Sequence, residues 1–306
     1  MKTGAALVFA GWAVLVAPGL AHAQGTAFAD PYELPDAPRP PTLPEITHGD
    51  IEGTLETTAG EIVPNPGGQP THGYVQRFAV EAPIGPRRWF LGLEYEAAAG
   101  SAQNGFQAVG GNVELEGRTL WATRTGLAFG GGLGLMLPTA SASSDDASSA
   151  GEVALHAATL RPWDVSFFIT DALGVRPFID VRAIDGPFVA QFRQGLDLAV
   201  STTAIADRIY ATTGVYFGLR ATRQVAVGVE AFEAYAIDVP NVQDGARANF
   251  VVSPNVRLVL PWVEPAISMF TNVGTPLQGA SERIWGFRVA FTLVYDSSAT
   301  LRVRSR

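Results

Sequence analysis

The stretch WGFRVAFTLVY, from Trp285 to Tyr295, alternates between large apolar residues and smaller or polar ones. Because successive side chains of a β-strand point to opposite faces, the pattern predicts a strand with one wholly apolar face. A strand of this length exceeds the roughly five or six residues usual in globular sheets and is long enough to cross a bilayer at a tilt. The other face carries Gly286, Arg288, Ala290 and Thr292.

The same alternation recurs from His72 to Tyr295, for example in WFLGLEYEA (89–97) and RIYATTGVYFGLR (208–220). Eleven strands are predicted there, and a weaker one within DIEGTLETTAGEIVPN (50–65) would bring the total to an even twelve. Short and long connections alternate along the chain, which is typical of outer-membrane barrels whose short turns face the periplasm. The short ones are predicted at 84–88, 116–119, 184–187, 221–224 and 261–264, and the long ones at 98–105, 138–172, 201–207, 237–248 and 276–282.

The predicted fold is therefore all-β: an antiparallel transmembrane β-barrel of about twelve strands, with short periplasmic turns and long extracellular loops. One segment departs from the two-residue period. SSAGEVALHAATLRPWD (148–164) contains good helix formers, with serine before them and proline after them. We expect a short helix near 150–161 inside a long extracellular loop, because a strand there would put the short turns on different sides. An exported soluble β-sandwich is the alternative fold.

The first 23 residues have the features of a secretory signal peptide. Lys2 precedes an apolar run that Pro18 interrupts, and small residues at Ala21 and Ala23 predict cleavage after Ala23. We expect 24–71 to form an acidic, proline-rich periplasmic arm that serves as a plug or as the first strand. The barrel is expected at 72–295 and a C-terminal tail at 296–306. Export without a second apolar run of helix-spanning length favours the outer membrane of a Gram-negative bacterium.

The composition narrows the function classes. The chain has no cysteine, which excludes disulfides, thiolate metal sites and lipoprotein attachment, and 47% of its residues are hydrophobic. From Gln24 to Thr71 there are eight acidic residues and one arginine, whereas from His72 to Arg306 twenty-one acidic residues accompany nineteen arginines. No basic face exists, so nucleic acid is not an expected partner.

The glycine-rich stretch LAFGGGLGLMLPTA (127–140) raises the question of a phosphate loop. It contains neither GxxxxGK[ST] nor GxGxxG between a strand and a helix, so a nucleotide site is excluded. Within residues 119–139, interpreted as one strand, Gly130, Gly132 and Gly134 share the inward face. Glycine there gives room in the lumen or lets a plug lie against the wall.

A family resemblance enters with this stretch. GLAFGGGLGLMLPTA (126–140), a strand that ends in Pro-Thr before a long outer loop, resembles the corresponding strand of exported barrels named for the meta pathway of phenol degradation. These barrels are related to outer-membrane channels for hydrophobic compounds. GEIVPNPGG (60–68) is similar to that family's opening, and GGNVELEGR (110–118) to its glycine-led strand and turn. Ala140 stands where the family has glycine, and Asn112 where it has aspartate. The resemblance implies a barrel more firmly than any substrate.

The inward face of the predicted strands is rich in charge, with acids and arginines close to balance. Charges at membrane depth must be hydrated or paired. Two hypotheses stay open: arginine–carboxylate pairs knit the strands together and close the lumen, or the same groups line an aqueous path and set its selectivity. The lumen-lining candidates are Arg77, Glu81, Glu94, Glu96, Glu114, Arg124, Arg176, Asp180, Arg182, Arg193, Asp197, Glu230, Arg257 and Arg288.

Aromatic residues near the predicted strand ends suit the girdles that flank the apolar band of a barrel, with ordinary sheet aromatics as the alternative. The girdle candidates are Trp89, Tyr95, Trp121, Tyr235, Trp262, Trp285 and Tyr295. The chain continues after Tyr295 with DSSATLRVRSR, which departs from the aromatic end of many barrels.

No catalytic constellation is visible in the sequence. After the signal peptide the chain has His48, His72 and His156, none of them in HExxH, and it lacks GxSxG. We expect His72 and His156 to be ordinary surface histidines. The sequence predicts no catalytic residue, no cofactor and no metal site. A lipid-modifying barrel enzyme is the alternative, and a His156→Ala variant would test it.

The leading functional hypothesis is an outer-membrane barrel that lets small solutes pass passively, with hydrophobic solutes as candidates. Its expected partners are outer-membrane lipid, a small-molecule solute and the barrel-insertion machinery. The alternative is a non-conducting structural or partner-binding barrel that acts through its extracellular loops, chiefly 138–172.

Overall fold

A computed structural model of the chain describes residues 28–29, 51–64, 70–84, 89–102, 104–123, 126–142, 148–201, 207–239, 247–260, 262–274 and 281–295. Within these ranges the strands are β1 (Phe28–Ala29), β2 (Ile51–Pro64), β3 (Thr71–Ile84), β4 (Trp89–Ala102), β5 (Gly105–Thr123), β6 (Leu127–Leu137), β7 (Ala172–Asp185), β8 (Phe188–Ser201), β9 (Arg208–Arg220), β10 (Val225–Asp238), β11 (Ala248–Leu258), β12 (Val263–Val273) and β13 (Ser281–Tyr295). Helix α1 spans Ser149–Leu160, and a 3-10 helix spans Val165–Phe168.

Strands β2 to β13 form a closed antiparallel barrel. Each pairs with the next along the chain, and β13 pairs with β2, with Tyr295 opposite Ile51 and Arg288 opposite Thr58. Closure satisfies the backbone groups that an open sheet edge would leave unpaired in lipid. The predicted all-β barrel of about twelve strands is confirmed, and the β-sandwich alternative is wrong. The weak strand predicted within 50–65 is β2, which lies in the segment expected to form the arm.

The two faces of the barrel wall differ as the alternation predicts. Large apolar side chains such as Leu91, Ile267 and Leu293 are more than half exposed on the outer face. On the inner face, polar side chains such as Glu56 and Arg288 are almost completely buried. An apolar exterior around a polar interior suits a barrel surrounded by lipid.

The turn predicted at 116–119 is wrong, because these residues lie inside β5, a strand of 19 residues. The chain turns instead at 124–126, where Gly126 has a φ of 85° and its amide donates to the carbonyl of Thr123 at 3.2 Å. Trp121 and Phe129 are paired across this turn and share the outer face. The alternation therefore keeps its parity through the turn, which is why 119–139 looked like one strand.

The barrel strands meet two rims. The short-turn rim has the connections 85–88, 124–126, 186–187, 221–224 and 259–262. The long-loop rim has 65–70, 103–104, 138–171, 202–207, 239–247 and 274–280. The predicted alternation of short and long connections fails at 103–104, because β4 and β5 extend into the loop expected at 98–105.

Several predicted features lie outside the described residues. They are the signal peptide 1–23, the C-terminal tail 296–306, most of the arm 24–50, His48 and Arg124. Within the arm, the two residues of β1 pair with the end of β5, with Phe28 opposite Thr123.

Candidate functional site

The connection between β6 and β7 folds into the barrel. We call residues 138–171 the plug loop; of these, 143–147 lie outside the described residues. Ser148 caps α1 by accepting a hydrogen bond from the amide of Gly151 at 3.1 Å. The short helix predicted near 150–161 is confirmed, and it lies in the predicted long loop, which folds into the barrel. Among the described residues, no helix is long and apolar enough to cross a membrane.

Helix α1 packs against the inner faces of β2, β3, β4, β5 and β13. Ala154, Ala157 and Leu160 are at most 1% exposed. A methyl group added at Gly60 of β2 would lie 2.5 Å from the Cδ2 atom of Leu160, so glycine is what lets the helix approach the wall. The loop folds inward because the lumen removes this apolar surface from water, which an extended loop could not do.

Asn112 of β5 ties both ends of the plug loop to the wall. Its Oδ1 accepts hydrogen bonds from the amides of Thr139 and Ala140, both at 2.8 Å. Its Nδ2 donates to the carbonyls of Ser166 and Ile169 at 2.9 and 2.8 Å. A carboxylate could make the first pair of bonds but not the second, since it has no hydrogen to donate. Asparagine therefore suits this position because it accepts and donates at once.

Arg161, which follows α1, is buried among three carboxylates. It pairs with Glu56 of β2, with Glu96 of β4 at 2.7 Å and with Asp164 at 2.6 Å. Burial raises the pKa of the Asp164 carboxyl, but Arg161 and Arg176 outweigh burial and hold that pKa below its usual value. Arg161 thus fixes the plug loop to two strands of the wall.

Two further arginines extend the network at mid-barrel. Arg77 donates two hydrogen bonds to Glu94, at 2.6 and 2.5 Å. Arg176 pairs with Glu114 at 2.5 Å and with Asp164 at 3.2 Å. These contacts join β3, β4, β5, β7 and the plug loop through charge-assisted hydrogen bonds.

Toward the short-turn rim, Arg193 pairs with Asp180 at 2.7 Å and Arg118 pairs with Glu81. The guanidinium of Arg193 also lies 3.9 Å from the centre of the Phe178 ring. The side chain of Arg118 is almost completely buried, whereas that of Arg193 is partly exposed.

The glycines of β6 make room for these side chains. A methyl group at Gly132 would lie 2.5 Å from the ring of Phe178 and 2.7 Å from the Cβ atom of Arg118, and one at Gly134 would overlap the carboxylate of Glu114. The glycine-rich stretch therefore leaves space for the charged and aromatic side chains of the inner wall. The glycines that admit the plug loop lie elsewhere, at Gly60 among others.

The opposite wall has its own network. Arg288 of β13 donates to Glu230 at 2.8 Å, to Ser253 at 2.7 Å and to Ser268 at 3.1 Å. These contacts cross four strands, from β10 to β13, and tie that third of the barrel together. On the same wall, Arg257 donates to Glu264 at 3.0 Å.

A cavity of about 80 Å³, measured as the volume open to the centre of a water molecule, remains between the plug loop and the wall. Trp163 of the plug loop covers one side of it and stacks on Phe232 with the ring centres 4.4 Å apart. The charged and aromatic lining residues are Arg77, Glu94, Glu114, Glu116, Asp164, Arg176, Arg193, Trp163, Phe178 and Phe232.

Apart from Arg124, the lumen-lining candidates all have their side chains on the inner face. Most of them sit in the ion pairs described above, which favours knitted strands over an open aqueous path. The buried ones are Arg77, Glu96, Glu114, Asp180, Arg182, Asp197, Glu230, Arg257 and Arg288. The partly exposed ones are Glu81, Glu94, Arg176 and Arg193.

The sequence analysis missed Glu56, Glu116, Arg118, Arg161 and Asp164. Unbroken alternation through β5 would have found Glu116 and Arg118, which share the parity of Glu114 but were assigned to a turn. No local pattern marks Arg161 and Asp164, because their position depends on the plug loop folding inward.

The girdle candidates lie on the outer face of the barrel, at different heights. Near the short-turn rim are Trp89, Trp121, Trp262 and Tyr295; nearer the long-loop rim are Tyr235 and Trp285; and Tyr95 is at mid-strand. The indole of Trp285 donates to Glu61 at 3.2 Å. Contact of these rings with a lipid interface remains a proposal.

The two described histidines differ in environment. His72 is exposed, as expected, and lies 4.0 Å from Glu61. His156 is buried on α1, so its expected surface position is wrong. Burial lowers the pKa of the His156 imidazole, and Glu152 opposes that shift without cancelling it.

Three carboxylates converge as metal ligands would. Single oxygen atoms of Glu94, Glu96 and Asp164 lie within 4.8 Å of one another. Arg77 already binds Glu94, and Arg161 binds the other two, so guanidinium groups occupy the place of a cation.

The closed barrel, apolar outside and charged inside, places the chain in the class of twelve-stranded barrels of the outer-membrane type. No protein-family model matches the sequence, and a search of curated proteins gave no match. Among solved structures, the chain is similar to the COG4313 outer membrane channel from Pseudomonas putida F1, with a TM-score of 0.61 at 10% identity over 85% of this chain and 100% of that one. It is also similar to the NanC porin, with a TM-score of 0.51 at 8% identity over 78% and 98% of the two chains. At these identities the likeness shows a shared fold.

Proposed function

We propose that the chain is an outer-membrane channel through which small solutes pass passively, with hydrophobic solutes as candidates. The observation that carries this proposal is the cavity: the plug loop and the charged wall fill the lumen only in part. The two structures of similar fold are described as an outer membrane channel and a porin, which supports the same function. We place the protein in the outer membrane of a Gram-negative bacterium, after signal cleavage behind Ala23 and insertion by the barrel machinery.

In this proposal the paired charges form the walls of a narrow path, and the plug loop sets its width. A solute that enters from the long-loop rim meets the plug loop, which Asn112 and Arg161 hold in place. Below it lies the cavity with its mixed charged and aromatic lining. Most of the lumen guanidiniums described above are paired with carboxylates, and we expect small displacements of these pairs to regulate passage.

The test is conductance across a planar bilayer, with detergent-purified protein whose folding is shown by heat-dependent gel mobility. A variant with residues 141–170 replaced by a short Gly-Ser linker lacks the plug loop, and a variant with 240–246 replaced by the same linker is the control. We expect small steps from the intact chain and the control, and larger steps from the variant without the plug loop. Silence from all three folded proteins would contradict ion conduction.

The second candidate is a non-conducting barrel, which the dense ion pairing of the lumen favours. Arg193→Gln separates the two, because Arg193 borders the cavity and pairs with Asp180. In a channel, the variant shifts the reversal potential measured under a salt gradient. In a sealed barrel, the variant lowers the unfolding midpoint of the protein and produces no current across the bilayer.

A further inference from the structure

The cavity between the plug loop and the wall has more acidic than basic groups around it. Four carboxylates and three guanidiniums line it among the described residues. The charged side chains that pair with this lining from behind add further carboxylates in excess of guanidiniums. Arg161 alone pairs with Glu56, Glu96 and Asp164, and Arg176 is shared by Glu114, Asp164 and Asp197.

While these carboxylates are ionised, their excess of negative charge in a partly dry lumen is unfavourable, because water screens it poorly there. A cation that enters the cavity relieves this cost, whereas an anion adds to it. The field of the lumen therefore favours positively charged occupants even though the barrel as a whole carries charges of both signs.

One carboxylate of the cavity is available to a new donor. Glu116 lies 3.7 Å from the nearest nitrogen of Arg193 and 3.9 Å from that of Arg118, beyond hydrogen-bonding distance. The carboxylates of Glu94 and Glu114, in contrast, accept hydrogen bonds from arginine at 2.5 Å. An ammonium or guanidinium group could thus bind Glu116 without breaking an existing hydrogen bond.

Trp163 contributes an aromatic ring. The residue is 6% exposed and lines the cavity. The rings of Trp163, Phe178 and Phe232 offer an apolar surface for the body of such a ligand.

A divalent metal ion fits this site less well than an organic cation. Glu94, Glu96 and Asp164 converge, but arginines already hold all three, and a hard cation requires several free oxygen ligands. The available groups are one carboxylate and three aromatic rings, and this combination matches an ammonium compound with an apolar body.

We propose that the cavity between the plug loop and the wall binds small organic cations, with Glu116 as partner of the cationic group and the rings of Trp163, Phe178 and Phe232 as the apolar surface. This inference rests on the proposed function for its physiological meaning, since the bound cation would be a solute in passage. The binding itself is measurable without passage.

The test uses three probes with the same phenol ring: tyramine, which is a cation, 4-hydroxyphenylacetate, which is an anion, and 4-hydroxyphenethyl alcohol, which is neutral. Titration calorimetry on the full chain in detergent measures their binding. We expect tyramine to bind at least roughly tenfold more tightly than the anion. Glu116→Gln should weaken tyramine binding roughly tenfold, which corresponds to the loss of one charged hydrogen bond.

Glu233→Gln is the matched control, because it removes the same charge from the outer face of β10. Equal binding of cation and anion, or no effect of Glu116→Gln in folded protein, would overturn the proposal. Binding of calcium chloride without binding of tyramine would overturn it in favour of a metal site. Influx of the same probes into proteoliposomes is measured separately: tyramine binding without influx would refute the channel and leave the cavity assignment intact.

Discussion

At the scale of single residues, Gly132 shows how the lack of a side chain makes room for the neighbouring side chains of the inner wall. An added methyl group would meet the ring of Phe178, the Cβ atom of Arg118 and the carbonyl of Gly117, all within 2.7 Å. We expect Gly132→Ala to lower the free energy of unfolding by about 1–3 kcal/mol, the usual cost of overpacking. Gly53→Ala is the control, because nothing lies within 4 Å of its added methyl group. Urea unfolding in detergent gives both values, and equal midpoints would contradict the packing argument.

Arg161 is almost completely buried and has three carboxylate partners. Arg161→Gln leaves Glu56, Glu96 and Asp164 without the guanidinium that they share. Breaking a buried ion pair from one side typically costs about 3–5 kcal/mol, so we expect a loss of that order together with larger conductance steps. Arg223→Gln, on the exposed turn at 221–224, removes the same charge and should leave both unchanged. A stable Arg161→Gln protein with wild-type conductance would show that Arg161 does not hold the plug loop.

The sequence analysis predicted the inward residues of the strands but not those of the plug loop. Inward residues of regular strands, such as Arg77 and Asp180, follow from a two-residue period, which needs no knowledge of the partner strand. Arg161 could not be found in this way, because its burial results from contacts between a loop and strands a hundred residues away in sequence.

At the scale of elements, the plug loop depends on the four hydrogen bonds that Asn112 makes with its backbone. In Asn112→Asp the carboxylate still accepts from Thr139 and Ala140 but faces the carbonyl oxygens of Ser166 and Ile169 without a donor. We expect amides in 148–171 to exchange hydrogen faster in this variant, with about 2–3 kcal/mol lost for the two unmade bonds and the buried charge.

Asn112→Ala is the variant to compare with Asn112→Asp. It removes all four hydrogen bonds without adding charge, and we expect faster exchange at 139–140 as well. Unchanged exchange in both variants would mean that helix packing alone holds the plug loop.

Helix α1 also carries a pH dependence. The ordinary pKa of histidine is about 6.5, and burial lowers the pKa of His156. As the pH falls below the ordinary value, the undocked loop takes up a proton that the docked loop still excludes, so docking loses free energy down to the lowered pKa. Above the ordinary pKa of histidine, the imidazole is neutral in both the docked and the undocked loop, so its protonation does not reduce the free energy of docking. We expect exchange of amides in 149–160, corrected for intrinsic rate, to accelerate as the pH falls from about 7 to about 5.

His156→Gln is the control for this effect, because it keeps a polar side chain that does not titrate. Asp164, whose pKa lies below its usual value, stays charged throughout the same range. An equal acceleration in the glutamine variant would assign the pH dependence to another group.

The elements themselves were predicted with uneven success. Helix α1 follows from composition and from its serine cap, both of which are local. The turn at 124–126 was missed because alternation continues through it with the same parity, and the glycine and charged residues at 116–119 imitate a turn inside β5. Local patterns thus locate elements but miss turns that preserve the period.

At the scale of the whole molecule, the even number of strands and the outer apolar face follow from the sequence, since both are sums of local patterns. The filling of the lumen does not. Whether inward charges line water or one another depends on the width of the closed barrel and on the plug loop, which brings Arg161, Trp163 and Asp164 to the axis. The same charge pattern would suit an open lumen if 138–171 extended beyond the rim.

The seam between β2 and β13 joins the two barrel strands that are farthest apart along the chain. The plug loop comes from the middle of the sequence, yet it rests on this seam: Leu160 lies over Gly60, and Arg161 pairs with Glu56. The seat of the plug loop is therefore incomplete until the last strand has paired with the first. We expect closure of the barrel and docking of the plug loop to occur in one step of assembly, so that a closed barrel without its docked plug loop does not accumulate.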